Sequence, residues 1–353
     1  MSVTVIVTVY NIEKYLPRFF KSMQEQTFTD YCLLMVDDGS TDGSLKICKQ
    51  YALNDDRIKI IELEHVGIAK ARNIALEHID TEYVTSADGD DYVERDYLKH
   101  LMDALLKYNA DLSISRVVYR LEKDNIIEGC FPERGELFIP REEFSQKLPM
   151  LVSDRRLNYL YGKMYRASLL KDIRVEDDVR QGSDTMINCQ YLANAQSIVL
   201  IDDLDYNYIK YKSRSVTSYS GGDAYRRICR INQYLFAHME KNGWMTEEMY
   251  RVIDGRILLS AIWCIERIYE TVNDDTVKAD GITQILSHPL YLQAYSRQET
   301  SGKYSFAPIA PQNGNRYVKR RKKQKKQQER KGRIVSKCPP FILKIYRTFK
   351  KKN

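Results

Sequence analysis

The 353-residue sequence predicts an α/β protein with an open mixed sheet and helices on both faces, followed by a helical region and a basic tail. Two observations predict the sheet: apolar runs recur along the first 120 residues, and segments with helical periodicity separate them. A third observation, the concentration of Lys and Arg near the C-terminal end, predicts the tail.

The first predicted strand covers residues 3–9 (VTVIVTV), because a β-branched run without polar alternation is typical of a strand buried on both faces. A helix follows, since apolar residues recur at i, i+3, i+4 and i+7 from Leu16 to Met23. The alternation continues with strands at 31–36, 58–63, 82–87 and 111–119, and with helices near 42–52, 67–79 and 94–108. Repeated β-α units of this kind predict an open α/β sheet.

The second half of the chain has a different pattern. Residues 141–220 are mixed, with a strand at 197–201, and residues 225–298 have helical periodicity throughout. Residues 301–315 have the Pro, Gly, Asn and Ser content of a linker. We therefore expect three regions: an α/β domain at 1–218, a helical domain at 219–300, and a linker with a basic amphipathic tail at 301–353.

Charge is distributed unevenly along the chain. Residues 316–353 carry a net charge of +16, whereas the other 315 residues carry −9. The last segment, CPPFILKIYRTFKKK, places apolar residues from Phe341 to Phe349 on one helical face with cations around it, which is typical of a helix lying on anionic lipid. Nucleic acid is the alternative partner for the basic run, and the apolar stripe favours the membrane.

Cysteine usage and the first residues indicate the compartment. Seven cysteines are scattered without a C-x-x-C pair, which is typical of reduced thiols in a cytosolic protein. Met1 leads directly into an apolar strand, so we expect no signal peptide, and the longest apolar run, 257–265, is too short to span a bilayer. We expect a cytoplasmic protein that associates peripherally with the inner face of the cell membrane.

Acidic side chains follow two of the predicted strands: Asp37 and Asp38 after the second, and residues 88–91 (DGDD) after the strand at 82–87. Ligands of open α/β sheets bind at the carboxyl ends of the strands. Carboxylates at i and i+2 around a glycine suit Mg²⁺ or Mn²⁺ bound together with substrate phosphates. Residues 37–40 (DDGS) also have the composition of a turn and helix N-cap, so both interpretations stay open.

Four motifs, VTVIVTVYNIEKYL, VDDGSTDGS, HVGIAKARNIAL and SADGDDYVERDYL, occur in this order. Together they resemble the nucleotide-binding half of family 2 glycosyltransferases, bacterial enzymes of capsule and cell-wall polysaccharide type with the Rossmann-like GT-A fold. The resemblance covers residues 3 to about 115, and extends more loosely to about 218. It implies uridine contacts from Thr8, Tyr10 and Asp38, a nucleotide-side role for Arg72, and Mn²⁺ or Mg²⁺ held chiefly by Asp90, with Asp88 near the ribose or the metal.

Two positions in these motifs depart from the family pattern. Thr8 stands where a proline is usual, and His65 stands where an asparagine is usual, two residues before Gly67. The threonine keeps the backbone contact to uracil available. His65 faces either the ribose or solvent, and the sequence leaves both open.

A segment at 182–188 (GSDTMIN) resembles the family's catalytic segment, and this resemblance assigns the general base to Asp184. Ser183 replaces the glutamate that usually precedes the base. Asp177 and Asp178 lie nearby and are the alternatives. Asp184 is preferred because a helical pattern, MINCQYLANA, follows it.

Two further segments resemble family motifs on the substrate side. YGKMYRASLL (161–170) resembles an acceptor-side segment, with Tyr161 and Gly162 in place of Trp and Asn. YNYIKYKSRSVTS (206–218) resembles a closing segment whose basic residues reach the diphosphate. The candidates are Lys210, Lys212 and Arg214, and a solvated loop cation is the alternative for each.

The resemblance implies an inverting, metal-dependent glycosyltransferase of hexosyltransferase type in surface polysaccharide synthesis. It would move a sugar from a UDP-sugar donor to a hydroxyl of a glycan or lipid-linked acceptor, while residues 316–353 bind an anionic membrane surface. The alternative is an inactive GT-A-fold protein that binds polyanions or acts as a scaffold, which Ser183 supports and the gathered carboxylates oppose. The sequence leaves open whether the chain forms a homo-oligomer.

Overall fold

The computed structural model describes residues 2–122, 127–211, 222–301 and 314–324. Contacts group the chain into two units, Met1–Ser218 with Arg230–Ile253, and Tyr219–Cys229 with Asp254–Asn353. The domain boundaries at 218/219 and 300/301 stay a prediction.

The strands lie in the first unit, and helices connect many of them. The strands are β1 (Val3–Val9), β2 (Tyr31–Asp38), β3 (Ile58–Leu63), β4 (Tyr83–Ser86), β5 (Tyr92–Val93), β6 (Leu112–Ile114), β7 (Val117–Leu121), β8 (Ile127–Cys130), β9 (Leu137–Pro140), β10 (Lys163–Arg166), β11 (Ser197–Leu200) and β12 (Tyr206–Lys210). The helices among them are α1 (Leu16–Gln24), α2 (Ser44–Ala52), α3 (Ile68–Glu77), α4 (Tyr97–Tyr108), α5 (Phe144–Ser153) and α6 (Ser183–Asn194).

The strands form two sheets. An eight-stranded mixed sheet has the order β3-β2-β1-β4-β10-β6-β11-β9, and a four-stranded sheet has the order β5-β12-β7-β8. Strands β3, β2, β1 and β4 are parallel, whereas β10 is antiparallel to both of its neighbours. The predicted α/β class with an open mixed sheet is therefore confirmed.

The centre of the large sheet is apolar, as the unbroken β-branched run of the first strand predicts. Val3, Val5, Val7 and Val9 of β1 are fully buried, because β1 lies between β2 and β4. Helix α1 adds Phe19 and Phe20 to the same core through its apolar face. Burying each of these phenyl rings contributes about 2 kcal/mol. The resulting core holds the carboxyl ends of β1, β2 and β4 at one edge.

The single strand predicted at 111–119 is wrong, because the structure divides it between the two sheets. β6 pairs with β10 and β11, whereas β7 pairs with β12 and β8. Between them the Ser115 amide donates to the Gly162 carbonyl at 2.9 Å, and the Arg116 amide donates to the Asp203 carbonyl at 3.1 Å. These partners, distant in sequence, bend the chain out of the large sheet.

The remaining helices confirm the predicted helical region at 225–298. They are α7 (Gly222–Lys241), which passes through both units, and α8 (Glu247–Thr271), α9 (Asp275–Leu286) and α10 (Pro289–Ser301). In the second unit, Arg297 of α10 forms two hydrogen bonds of 2.6 and 2.7 Å with the buried carboxylate of Asp254 on α8. No helix of the described segments is long and apolar enough to cross a membrane.

Residues 314–324 are helical and belong to the second unit. Tyr317 and Val318 are buried, Arg321 pairs with Glu266 of α8, and Lys322 pairs with Asp275 of α9. The start of the predicted tail is therefore docked on helices. The predicted interfacial helix at 341–349, and most of the predicted linker, lie outside the described residues.

Candidate functional site

The candidate site lies where parallel strands of the large sheet end. Because β1, β2 and β4 run in the same direction, residues that follow them meet at one edge. Thr8, near the end of β1, pairs with Val36 of β2. Helices α3 and α6 bring Arg72 and Asp184 together beside this edge.

Asp38, Tyr10 and His65 form one part of the site. One carboxylate oxygen of Asp38 accepts hydrogen bonds from the amides of Val66 and Gly67 at 2.7 and 3.2 Å, and Asp38 is 5% exposed. The Tyr10 ring stacks on His65 with 4.4 Å between centroids, and Tyr10 is 44% exposed. Nδ1 of His65 lies 3.1 Å from an Asp38 carboxylate oxygen. His65 thus belongs to the same group as two of the predicted uridine contacts.

The neighbouring residues 37–40 form the turn that their composition indicates. A carboxylate oxygen of Asp37 accepts a hydrogen bond from the Ser40 amide at 3.0 Å. The side chain of Asn11 accepts another from the Thr41 amide at 2.8 Å. The two interpretations of this segment are compatible, because Asp37 stabilises the turn while Asp38 lies beside Tyr10.

The turn after β4 depends on a glycine. A Cβ atom on Gly89 would lie 2.7 Å from Cδ1 of Ile12 and 3.3 Å from a methyl carbon of Leu16. Such a contact would force the buried side chains to shift, so the close approach of backbone and core requires glycine here. The tight packing fixes the backbone between Asp88 and Asp90.

Asp91 anchors the second sheet beside this turn. Its carboxylate accepts hydrogen bonds from the Tyr206 hydroxyl and the Ile209 amide, both at 2.8 Å. Burial, together with the charges of Asp88 and Asp90, raises the pKa of Asp91 well above its usual range. The sequence did not single out this role of Asp91, because its partners on β12 lie more than 110 residues away.

Asp88 and Asp90 supply carboxylates that are close enough to interact. Burial, and then the charge of Asp90, raise the pKa of Asp88 to about 7, while Arg72 opposes the shift. The main-chain carbonyl of Asp90 accepts hydrogen bonds from Arg18 at 2.6 Å and from the Tyr211 hydroxyl at 2.5 Å. Hard oxygen donors with excess negative charge are the donor set that Mg²⁺ and Mn²⁺ prefer, so these residues fit a divalent cation.

Asp184, at the start of α6, forms an ion pair with Arg72 of α3. The same guanidinium nitrogen, Nη1, donates to the Ser183 hydroxyl at 2.5 Å. The alternatives are more exposed: the side chain of Asp177 is 59% exposed and lies 3.9 Å from Lys70, and that of Asp178 is 77% exposed and pairs with Arg230. Among the three aspartates, Asp184 is therefore the one that contacts a predicted nucleotide-side residue.

Gly182 sets the start of α6. Its φ of +89° lies in the left-handed region, and a Cβ there would lie 2.4 Å from Cγ1 of Ile231. A side chain at this position would be strained by both the backbone conformation and the contact with Ile231. The glycine therefore allows the turn that precedes Ser183 and Asp184.

Lys163 is a charged group that sequence reasoning missed as a site residue. It is 1% exposed, and its Nζ donates to the main-chain carbonyls of Tyr159 and Tyr161. Burial lowers the pKa of Lys163 to about 7, and the charge of Asp184 opposes this shift. The available signal was a lysine at the first position of β10 in the segment YGKMYR.

Tyr161, which stands where the family pattern has Trp, belongs to a group of stacked tyrosine rings. Tyr161 stacks on Tyr206 with 4.5 Å between centroids and 6° between planes, and Tyr159 stacks on Tyr161 at 4.8 Å. Tyr206 also holds Asp91, so the aromatic group is joined to the acidic turn.

The predicted diphosphate-side cations have different outcomes. Lys210 is exposed, and its amine lies over the Tyr119 ring at 5.6 Å from the centroid. Lys212 and Arg214 lie outside the described residues.

A further group of metal-ligand types exists elsewhere in the described residues. His100 of α4 lies with Asp203 and Asp205, and their ligand atoms all fall within 4.8 Å of one another. Nδ1 of His100 is 2.8 Å from the Asp205 carboxylate, so an ordinary His–Asp pair accounts for the contact. None of the predicted metal ligands belongs to this group.

The fold and the acidic edge define a protein of the GT-A class. The crystal structure of Staphylococcus aureus TarS 1-349 in complex with UDP superposes with a TM-score of 0.60 at 19% identity, covering 88% of this chain and 94% of that one. This similarity confirms the predicted GT-A fold.

Sequence comparison gives the family. Residues 4–174 match the profile described as Glycosyl transferase family 2. Glycosyltransferase GlyG of Streptococcus pneumoniae is 32% identical over 220 residues, which are 60% of this chain and 71% of GlyG. The chain belongs to glycosyl transferase family 2, and the resemblance read from its motifs is confirmed.

Two other relatives match with similar identity over a smaller share of their length. Glycosyltransferase GlyA of Streptococcus pneumoniae is 30% identical over 216 residues, which are 58% of this chain and 30% of GlyA. TarS of Staphylococcus aureus, named poly(ribitol-phosphate) beta-N-acetylglucosaminyltransferase, is 30% identical over 217 residues, which are 59% of this chain and 35% of TarS. The chain thus spans about a third of the length of these two relatives.

Proposed function

We propose that this protein is an inverting glycosyltransferase that moves a sugar from a UDP-sugar to a hydroxyl of a glycan or lipid-linked acceptor in surface polysaccharide synthesis. The observation that carries the proposal is the Arg72–Asp184 pair beside the Asp88–Asp90 carboxylates. A transfer from a nucleoside diphosphate sugar needs a base for the acceptor and positive charge for the leaving group.

The relatives support the choice of donor. TarS, whose name describes transfer of N-acetylglucosamine to poly(ribitol-phosphate), has been crystallised with UDP and with UDP-GlcNAc. In this chain Thr8, Tyr10 and Asp38 would contact the uridine. Arg72 would contact the diphosphate, with Lys212 and Arg214 as further candidates.

Asp184 is the proposed general base. Its carboxylate takes the proton from the acceptor hydroxyl as that oxygen attacks the anomeric carbon, and the bond from this carbon to the diphosphate breaks on the opposite face. The attack from the opposite face inverts the anomeric configuration, so an α-linked donor gives a β-linked product. Arg72 stabilises the charge that develops on the departing diphosphate.

Asp90 and Asp88 are the proposed ligands of Mn²⁺ or Mg²⁺. When bound, the cation supplies positive charge that stabilises the leaving diphosphate. Burial, and then the charge of Asp90, raise the pKa of Asp88, and a bound cation would favour the ionised carboxylate.

A lipid-linked acceptor fits the proposed membrane association through residues 316–353. In the described part of this segment, the docked helix has five exposed cations, of which Lys322 pairs with Asp275. The other four are Arg316, Lys319, Arg320 and Lys323. Fixed cations of this kind are attracted to anionic headgroups.

The proposed function is tested with a panel of UDP-sugars, by measuring UDP release with Mn²⁺, with Mg²⁺ and with EDTA. We expect one sugar to be hydrolysed slowly and in a metal-dependent way. Asp184→Asn should lower turnover by about 10² to 10⁴, the range for loss of a general base, without weakening UDP binding. Asp178→Asn is the matched control and should stay active. An active Asp184→Asn together with an inactive Asp178→Asn would mean that Asp178 is the general base. Full activity in EDTA would refute the requirement for a divalent cation.

A further inference from the structure

Arg72 contacts the proposed base, although its proposed substrate contact is the diphosphate. Nη1 of Arg72 binds both the Asp184 carboxylate and the Ser183 hydroxyl. The side chains are 14% and 21% exposed for Arg72 and Asp184, so solvent screens this pair only partly. The Asp184 oxygen that binds Arg72 is directed at the guanidinium, so another hydrogen-bond donor must compete for it.

Ser183 does not compete with Asp184 for the charge of Arg72. The Ser183 hydroxyl accepts a hydrogen bond from Arg72, but it cannot neutralise the charge of the guanidinium. Ser183 is 1% exposed, so little water replaces that missing charge. The guanidinium of Arg72 therefore forms its ion pair with Asp184.

Arg72 borders a small space among apolar side chains. It lines a cavity of about 30 Å³ together with apolar side chains that include Leu76 and Ile187. Atoms that border such a space have fewer packing contacts on that side. A shift of the guanidinium therefore costs less than it would in a fully packed core.

We propose that the Arg72–Asp184 pair blocks the base until the donor binds: the diphosphate takes Arg72, the pair opens, and Asp184 becomes available to the acceptor hydroxyl. This inference rests on the proposed function. It makes Arg72 a group with two successive partners, and it orders the reaction, because the acceptor can be deprotonated only after the donor is in place. Such an order prevents deprotonation of the acceptor hydroxyl in the absence of the donor.

Calorimetric titration with UDP and with uridine, at constant Mn²⁺, tests the proposal. In the natural protein, UDP must break the pair, whereas uridine has no diphosphate and leaves the pair intact. Asp184→Asn should therefore tighten UDP binding about tenfold, within the range of coupling energies between contacting residues, and leave uridine binding unchanged. Asp184→Ala is the second variant and should behave in the same way. Asp178→Asn removes a carboxylate that pairs with Arg230 instead, and should change neither affinity.

A double-mutant cycle separates the pair from a general loss of negative charge. In an Arg72→Met background there is no pair to break, so Asp184→Asn should change UDP affinity less than twofold. An equal gain in both backgrounds, or no gain with Arg72 present, would overturn the inference while leaving the proposed function standing. A natural protein that binds neither UDP nor uridine would overturn the proposed function, and the inference with it.

Discussion

Lys163 illustrates how burial changes the chemistry of a single residue. Its amine has two carbonyl partners and is removed from solvent, so the charged form loses hydration that two hydrogen bonds replace only in part. The pKa of about 7 follows from this loss, and the negative charge of Asp184 limits it. Lys163 therefore changes charge near neutral pH, whereas an exposed lysine does so near 10.5.

The stability of the protein should depend on this group between about pH 7 and 10.5. In that range the unfolded chain keeps the Lys163 proton and the folded protein has lost it, so unfolding takes up a proton and stability rises with pH. Lys163→Met removes the effect. Thermal unfolding of both proteins is measured at pH 7.5 and 9.5. The melting temperature of the natural protein, relative to that of Lys163→Met, should be higher at pH 9.5. A difference in melting temperature that does not change with pH would contradict the lowered pKa of Lys163.

Asp90 offers a direct test of the metal proposal. Asp90→Ala removes one of the two proposed ligands and should lower metal-dependent UDP-sugar hydrolysis by at least about 100-fold, because even loss of a ligand's supporting partner typically costs 10–100-fold. The main-chain carbonyl that Arg18 and Tyr211 bind remains, so the fold should persist. Asp172→Ala, at an exposed position, is the matched control. Hydrolysis by Asp90→Ala at the natural rate would exclude Asp90 as a required ligand.

At the scale of elements, the start of α6 decides where the proposed base lies. Asp184 is the second residue of this helix, so its position follows the helix start directly. Gly182 permits that start by adopting positive φ and by leaving space for Ile231. A change at Gly182 therefore affects Asp184 without touching it.

Gly182→Ala should cost more stability than Gly243→Ala. Gly243 also has positive φ (+71°), but a Cβ there would meet nothing within 4 Å. Gly243→Ala should therefore lose only the free energy of backbone strain, about 1 kcal/mol. At Gly182 the overlap with Ile231 adds about 1–3 kcal/mol. Urea unfolding of both variants measures the difference, and turnover should fall only in Gly182→Ala. Equal losses of stability would mean that Ile231 moves aside freely.

The same scale shows what the sequence could predict. Strand β1 was predicted with its observed ends, because an apolar β-branched run without polar alternation indicates a buried strand from the local sequence alone. The strand pair β6 and β7 was not, because the bend between them depends on the carbonyls of Gly162 and Asp203, which lie far along the chain. Residues with chemistry at strand ends, such as Asp38 and Asp88, were found from position. Lys163 was missed, since burial of a lysine is set by partners and not by local pattern.

At the scale of the whole molecule, the C-terminal charge has two parts. The docked helix at 314–324 presents four exposed cations besides the paired Lys322, whereas residues 325–353 contribute 11 Lys or Arg and the predicted apolar stripe. The first part is fixed to the second unit through Tyr317 and Arg321. We therefore expect the two parts to contribute separately to binding at an anionic surface.

Removing residues 325–353 should leave weak binding to anionic liposomes that high salt abolishes, because charge without the apolar stripe is fully screened. Neutralising the four docked cations in this shortened chain should remove the remaining binding, since each contributes up to about 1 kcal/mol, or about fivefold in affinity. Liposome sedimentation at low and high salt measures both steps. Equal sedimentation of the full and shortened chains, or tighter binding to RNA than to liposomes, would refute the membrane proposal.

Helix α7 has a consequence for recombining this protein with its relatives. The chain passes from the first unit to the second at residue 219, returns at 230 within α7, and leaves again at 254. A chimera joined at residue 218 would thus take its Ile231 and Trp244 from a foreign chain, although these side chains pack against Gly182 and Phe144. A crossover at 253/254 keeps those neighbours together. Hybrids that exchange C-terminal segments with relatives should therefore fold more often when joined at the later breakpoint, as the yield of folded protein would measure.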